Sequence, residues 1–237
     1  MALSALGSLG GLAVSSAILL LGPAARQRLI PWLISYAVGT MLGAALLAIL
    51  PEVVEQMPPT RVFEAVLGGI LLFFVLEKFV LWRHCHADHG CENHGATASL
   101  VLVGDAFHNF VDGAMIAAAV MTSVPLGVSA AIAVAAHEIP QEVGDFAILL
   151  HAGYSRTRAL VLNVLSGVTG LAGALIAFLA FDLMPHVLPY FLSIAAASFL
   201  YIALSDLIPD LHEGDVGGGS FRQLLLVAAG VATVAIL

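Results

Sequence analysis

The chain has 237 residues, 60% hydrophobic and 10% charged, with mean hydropathy +1.03 and a formal net charge of -8. A soluble domain carries about 25% charged residues, so this chain has too few to hold a globule in water. Runs of roughly 20 apolar residues recur instead, each long enough to cross a bilayer as a helix, and their continuity in Leu, Ala, Val and Gly excludes a barrel of ~10-residue alternating strands.

The first apolar run, at about 3–22, has no basic residue ahead of it; the first is Arg26. It reads as a spanning helix rather than a secretory leader. Seven further spans follow at about 32–51, 62–82, 99–121, 126–150, 159–181, 188–208 and 221–237. The connections are short and polar or rich in Pro and Gly: Gly22–Pro31, Glu52–Arg61, Arg83–Ala96, Ser123–Pro125, Gly153–Thr157, Asp182–Pro185 and Pro209–Ser220. The expected fold is an all-α polytopic membrane protein, one transmembrane domain over 1–237 with eight helices in the lipid bilayer.

Basic residues orient it. They are Arg26, Arg28, Arg61, Lys78, Arg83, Arg156, Arg158 and Arg222. Successive connections alternate sides, and all of these except Arg61 fall on one side. The positive-inside rule makes that side cytoplasmic. Both termini then face away from the cytoplasm, and the expected location is the plasma (inner) membrane.

Span two ends Leu42-Gly43-Ala44-Ala45-Leu46-Leu47-Ala48-Ile49-Leu50-Pro51-Glu52, and span seven ends Leu200-Tyr201-Ile202-Ala203-Leu204-Ser205-Asp206-Leu207-Ile208-Pro209-Asp210. The two share Leu, Ala, Leu and Pro in register, followed by an acid. Spans two and seven run in opposite directions, as an inverted repeat of spans 1–3 and 6–8 requires.

The connection at 83–96 holds His84, Cys85, His86, His89, Cys91 and His94. These are metal-ligand residue types without zinc-ribbon spacing. On the cytoplasmic side the thiols stay reduced, and the loop is expected to capture released ion or to sense metal load.

Spans four and five carry the chemistry. Span four holds Asp105, His108, Asn109 and Asp112, spaced i, i+3, i+4, i+7 on one helix face. Span five holds His137, Glu138, Gln141, Glu142 and Asp145 on one face and its shoulder. An ionisable side chain at mid-bilayer costs about 2.5–3.5 kcal/mol, so such a cluster must share protons, waters or a cation. Adjacent antiparallel spans joined by a short turn pack together. That pairing sets residue 108 at the depth of 141, and 112 at the depth of 137. Imidazoles, carboxylates and amide oxygens together suit zinc, and less selectively iron, manganese, cobalt or cadmium; calcium or magnesium prefers an all-oxygen shell. Pro140 frees the carbonyl of Ala136 beside His137. Asp105, Glu142 and Asp145 lie cytoplasmic of the cluster and are expected to line an exit path.

Gly104-Asp105-Ala106-Phe107-His108-Asn109-Phe110-Val111-Asp112-Gly113 followed by His137-Glu138-Ile139-Pro140-Gln141-Glu142-Val143-Gly144-Asp145-Phe146 resembles the ZIP (Zrt-, Irt-like protein) metal transporters. The second stretch is similar to the subfamily pattern H-E-x-P-H-E-x-G-D. Gly39-Thr40-Met41-Leu42-Gly43 and the span-seven stretch extend the likeness over the chain. The resemblance implies eight spans with both termini outside. It also implies a homodimer and movement of Zn2+, with Fe2+, Mn2+, Cd2+ or Co2+ as further substrates, into the cytoplasm. It places His108, Asp112, His137 and Gln141 at one metal site, and Asn109, Glu138 and the same Gln141 at a second. The chain departs from the pattern at Gln141, where the subfamily has histidine. It departs again at Gly167-Val168-Thr169-Gly170-Leu171, where some members supply a glutamate.

Two other functions compete. His137-Glu138 begins like H-E-x-x-H, the zinc motif of a metalloprotease, but Gln141 replaces the second histidine and a proline inside the motif, Pro140, is awkward for that helix. A membrane metal sensor without transport has the same site chemistry. The sequence contains no ATP-binding motif. Transport is therefore expected to be non-enzymatic, with no prosthetic group and no nucleic-acid partner.

Overall fold

The computed structural model describes residues 10, 11, 13–15, 17, 18, 21–85, 94–213 and 220–237, without the side chains of 23, 26, 79–101 and 213. Every regular element among the described residues is helical. The protein is an all-α polytopic membrane protein. Span three is Pro59–Cys85, span four His94–Thr122, span five Val124–His151, span six Arg156–Leu183, and span eight Ser220–Ala235. Among the described residues, four helical stretches are long and apolar enough to cross a membrane by length and composition alone: Gln27–Gln56, Pro59–Lys78, Arg156–Leu183 and Pro185–His212. Spans four and five carry the ionisable cluster. His86, His89 and Cys91 of the 83–96 loop lie outside the described residues, as do the side chains of His84, Cys85 and His94.

Several connections are shorter than the sequence suggests. Much of Gly22–Pro31 is helix, because span two starts at Pro23. A proline in the first turn forfeits no intrahelical bond. Pro31, inside the same helix, loses only the bond to Gln27, and the Ser35 hydroxyl donates to its carbonyl at 2.7 Å. Span two continues to Gln56 and span seven to Glu213. Between spans four and five only Ser123 is non-helical, and its hydroxyl accepts from the Leu126 amide at 3.3 Å as an N-cap. Gly153 closes span five with φ 86°, a left-handed cap that suits glycine.

Spans two and seven share one irregularity. Span two passes through a π-helical turn at Ala44–Ile49 just before Pro51, and span seven through one at Ala203–Leu207 just before Pro209. Proline has no N–H with which to close the preceding α-turn, and a π-turn is one way a helix accommodates the disruption. The two sequence stretches that resemble each other thus also share their local geometry. Packing follows the same pairing: span three lies on span seven and span eight on span two, while span four lies on span six.

Side-chain size is sorted by face. The interior is rich in small residues: Ala114, Ala117, Ala118, Ala130, Ala133, Ala174, Ala195 and Ala196 are all buried. The periphery is large and apolar. Phe63, Leu67, Leu71 and Phe74 form a stripe down span three, each about half exposed. In water such a stripe drives association; in lipid it is the solvated face. Without a hydrophobic force between helices, small residues let backbones approach closely. The span four–six crossing depends on this, since a Cβ on Gly113 would overlap the Gly170 carbonyl and one on Gly173 that of Phe110. Thr169 ties the same crossing by donating to the Ala106 carbonyl at 2.5 Å. Gly113→Leu is expected to destabilise the fold by about 3 kcal/mol, the upper range for overpacking. Thermal unfolding in detergent measures it, and a melting point equal to that of the parent protein would contradict this packing.

Candidate metal centre

Tight closure at Ser123 sets spans four and five antiparallel, so their polar faces meet. His137 Nε2 lies 3.1 Å from Asp112 Oδ2 and 3.1 Å from His108 Nε2. His108 Nε2 lies 3.6 Å from Asp112 Oδ2 and 3.7 Å from Glu138 Oε1. Ligand atoms of His108, Asp112, His137 and Glu138 all fall within 4.8 Å of one another. A tetrahedral ion with bonds of ~2.0–2.1 Å has ligand–ligand edges of ~3.3 Å, and the four separations bracket that value.

Orientation is built in. His137 Nδ1 faces the Ala133 carbonyl at 2.9 Å. A carbonyl only accepts, so Nδ1 carries the proton and Nε2 presents its lone pair to the cluster. The Phe199 ring stands nearly edge-on to the same imidazole, centroids 6.0 Å apart. Asp112, His137 and Glu138 are 2% exposed or less, and His108 is half-buried. Both Glu138 carboxylate oxygens are buried with no hydrogen-bond donor among the described residues. Neither helix carries a lysine or arginine. Buried acceptors and anions of this kind are offset by a cation or by protons.

The two amides on these spans sit elsewhere. Asn109 Nδ2 donates to the Asp105 carbonyl at 3.2 Å and to its Oδ1 at 3.0 Å. Gln141 Nε2 approaches the same Oδ1 at 3.5 Å. The structure therefore gathers His108, Asp112, His137 and Glu138 in one group, and Asp105, Asn109 and Gln141 in a second. Glu142 is fully buried, while Asp145 is half-buried.

The family model described as ZIP Zinc transporter matches residues 83–237, more than half of the chain. The chain belongs to the ZIP family. Zinc transporter ZIP13 of Pongo abelii is 33% identical over 85% of this ZIP chain and 65% of its own length. Zinc transporter ZIP4 of Mus musculus is 31% identical over 74% of the chain and 37% of its own length. Zinc transporter ZIP10 of Danio rerio is 41% identical over 50% of the chain and 14% of its own length. This ZIP chain thus spans between about a seventh and two thirds of these three relatives.

Span six adds residues that the sequence reading passed over. Asn163 is 2% exposed, and its Nδ2 donates to the Glu142 carbonyl at 3.2 Å. Ser166 is 3% exposed, one turn further along. Positions 163, 166, 170 and 173 recur on one face, and that period was the available signal. A search for an acid at 167–171 does not see it, because the polar groups here are an amide and a hydroxyl.

Proposed function

We propose that this chain carries divalent cations, zinc foremost, across the membrane into the cytoplasm, through the group formed by His108, Asp112, His137 and Glu138. The observation that carries this reading is the convergence of two imidazoles and two carboxylates on two helices without lysine or arginine, with the His137 lone pair aimed inward. Nitrogen donors favour zinc, iron, manganese, cobalt or cadmium over calcium or magnesium. The names of the relatives as zinc transporters point the same way. Asn109 and Gln141 support the site from beside it, and Asp105, Glu142 and Asp145 continue the polar track toward the inner end.

The inward direction rests on the charge asymmetry of the connections. Aromatic and basic residues pair at that same end: Arg222 lies over Trp32 at 5.0 Å and Arg158 over Tyr154 at 4.5 Å. Such pairs are suited to a membrane–water interface. This orientation puts both termini outside, in the plasma (inner) membrane. The homodimer implied by the family resemblance and a metal-capturing role for the 83–96 loop belong to the same reading. A metalloprotease is disfavoured: the second histidine of its motif is Gln141, whose amide turns to Asp105, and the water-activating glutamate would be Glu138, here part of the ligand group.

The test is uptake into proteoliposomes with zinc, iron, manganese and cadmium, with Gln141→His alongside. Saturable zinc uptake without ATP is expected. The added imidazole is expected to raise zinc affinity roughly tenfold, the lower end of the range for groups that tune a metal site. Tight zinc binding with no flux of any of the four metals would leave the sensor reading in its place.

A further inference from the structure

Spans two and eight form a closely packed seam. A Cβ on Gly39 would overlap the Val227 carbonyl, and one on Gly230 that of Tyr36. Gly39 meets Val227 while Gly43 meets Val231 and Val234, so the two helices run parallel. The Tyr36 hydroxyl donates to Thr233 Oγ1 at 3.1 Å across the same seam. Positions 32, 36, 39 and 43 recur on one face of span two. The register that joins Gly39 to Val227 brings Arg222 to Trp32, and the guanidinium stands over the indole ring, 5.0 Å from its centroid.

This end of the seam is basic, aromatic and open. Arg28 lies one turn before Trp32 on the same face. Long side chains lean toward the start of their helix, which sends Arg28 toward the membrane surface. Arg28, Arg222 and Trp32 are all exposed. The ion pairs among the described residues are Arg61–Glu64 and the histidine contacts of the metal centre, so neither arginine has an acid partner among them. Exposed apolar side chains flank the pair: Phe221 beside Arg222, and Leu225 one turn further into the bilayer. Two cations without counter-ions at headgroup level, with apolar surface leading into the bilayer, match a phospholipid. A zwitterionic lipid brings an ammonium of its own, which the arginines repel; a lipid with net negative charge does not.

We propose that the cytoplasmic end of the seam between spans two and eight holds an anionic phospholipid, its phosphate on Arg28 and Arg222 and its acyl chain along Trp32 and Leu225. The site is local, not a general attraction of this face for negative charge, because the close packing fixes Arg222 over Trp32 before a lipid arrives. Arg158 over Tyr154, at the start of span six, is the comparison: a basic–aromatic pair of the same kind on another helix.

The experiment is lipid competition read by tryptophan fluorescence. The chain has two tryptophans, Trp32 and Trp82, so the full chain carrying Trp82→Phe reports from Trp32 alone. It is reconstituted in phosphatidylcholine brominated on its acyl chains, which quenches the indole, with unbrominated phosphatidylglycerol or phosphatidylcholine as competitor. Phosphatidylglycerol is expected to relieve quenching with at least about tenfold higher affinity than phosphatidylcholine. Arg28→Gln and Arg222→Gln are each expected to lower this preference about fivefold, the contribution of one arginine near an anionic surface. Arg28→Lys should retain most of it, and Arg158→Gln should leave it unchanged. A cooperative melt in detergent shows that each variant is folded. Equal affinity for the two lipids overturns the proposal. So does an equal loss in Arg158→Gln, which assigns the preference to diffuse surface charge. Cancellation of the preference by millimolar inorganic phosphate also overturns it, since the site then takes a soluble anion. Both leaflets contain the same lipids, so the result is independent of orientation, and zinc uptake is not the readout, so either outcome leaves the transport reading where it stands.

Discussion

Zinc uptake by His137→Ala is expected to fall at least about a hundredfold, since even groups that merely support metal ligands account for 10–100-fold. The imidazole is 2% exposed, oriented by the Ala133 carbonyl and flanked by Phe199. Alanine removes the nitrogen ligand that lies 3.1 Å from Asp112 Oδ2 and leaves the imidazole of His108, 3.6 Å away. His108→Ala is expected to have a similar effect. The double variant should add little, because ligands that hold one ion act as a unit. His186, exposed on the short connection before span seven, serves as the comparison, and its alanine variant should transport normally. Initial uptake rates over a zinc series decide the matter. A His137→Ala protein within threefold of the parent would remove that residue from the ion's path.

Acidification gives the second large effect. Ligation needs neutral imidazoles, so protons compete with the metal. Below the pKa of a ligating imidazole, each fall of one pH unit costs up to about tenfold in apparent affinity per histidine. With two histidines in the site, the apparent zinc affinity is expected to fall on acidification by up to about a hundredfold per pH unit, and to level off where both imidazoles are neutral. The sign is fixed by the chemistry: binding releases protons, so it strengthens as pH rises. Zinc titrations of the detergent-solubilised protein at a series of pH values measure it directly. His108→Ala should halve the logarithmic slope of its residual binding. A flat profile between pH 5 and 7.5 would exclude histidine from the affinity-determining shell.

Much of this architecture was legible in the residues. Continuous apolar runs defined the helices, because a bilayer requires each backbone polar group to be satisfied within its own segment. The i, i+3, i+4, i+7 spacing of Asp105, His108, Asn109 and Asp112 put them on one face. The short turn predicted the depth match between Asp112 and His137 that the 3.1 Å separation reflects. The unread features share a physical cause. An amide donates or accepts according to its neighbours, so spacing alone did not show that Asn109 and Gln141 would turn their nitrogens toward Asp105. Asn163 and Ser166 become significant only once Gly170 and Gly173 bring span six against span four. The stretch Gly22–Pro31 has the composition of a connection, yet a proline in a first turn is compatible with helix, and that helix runs on through Pro31.

The paired π-turns have a consequence for how the chain's length relates to its shape. A π-turn accommodates one residue beyond the α-helical repeat, so it amounts to an insertion absorbed within a helix. Deleting one residue from Ala44–Ile49 or from Ala203–Leu207 would let an ordinary α-helix re-form there. The residues on either side would still face as they do now. Spans two and seven are thus the places where residue counting and facing direction come apart. A ruler laid along the sequence from Gly39 to Glu52, or from Phe199 to Asp210, is one residue too long for the helix it measures.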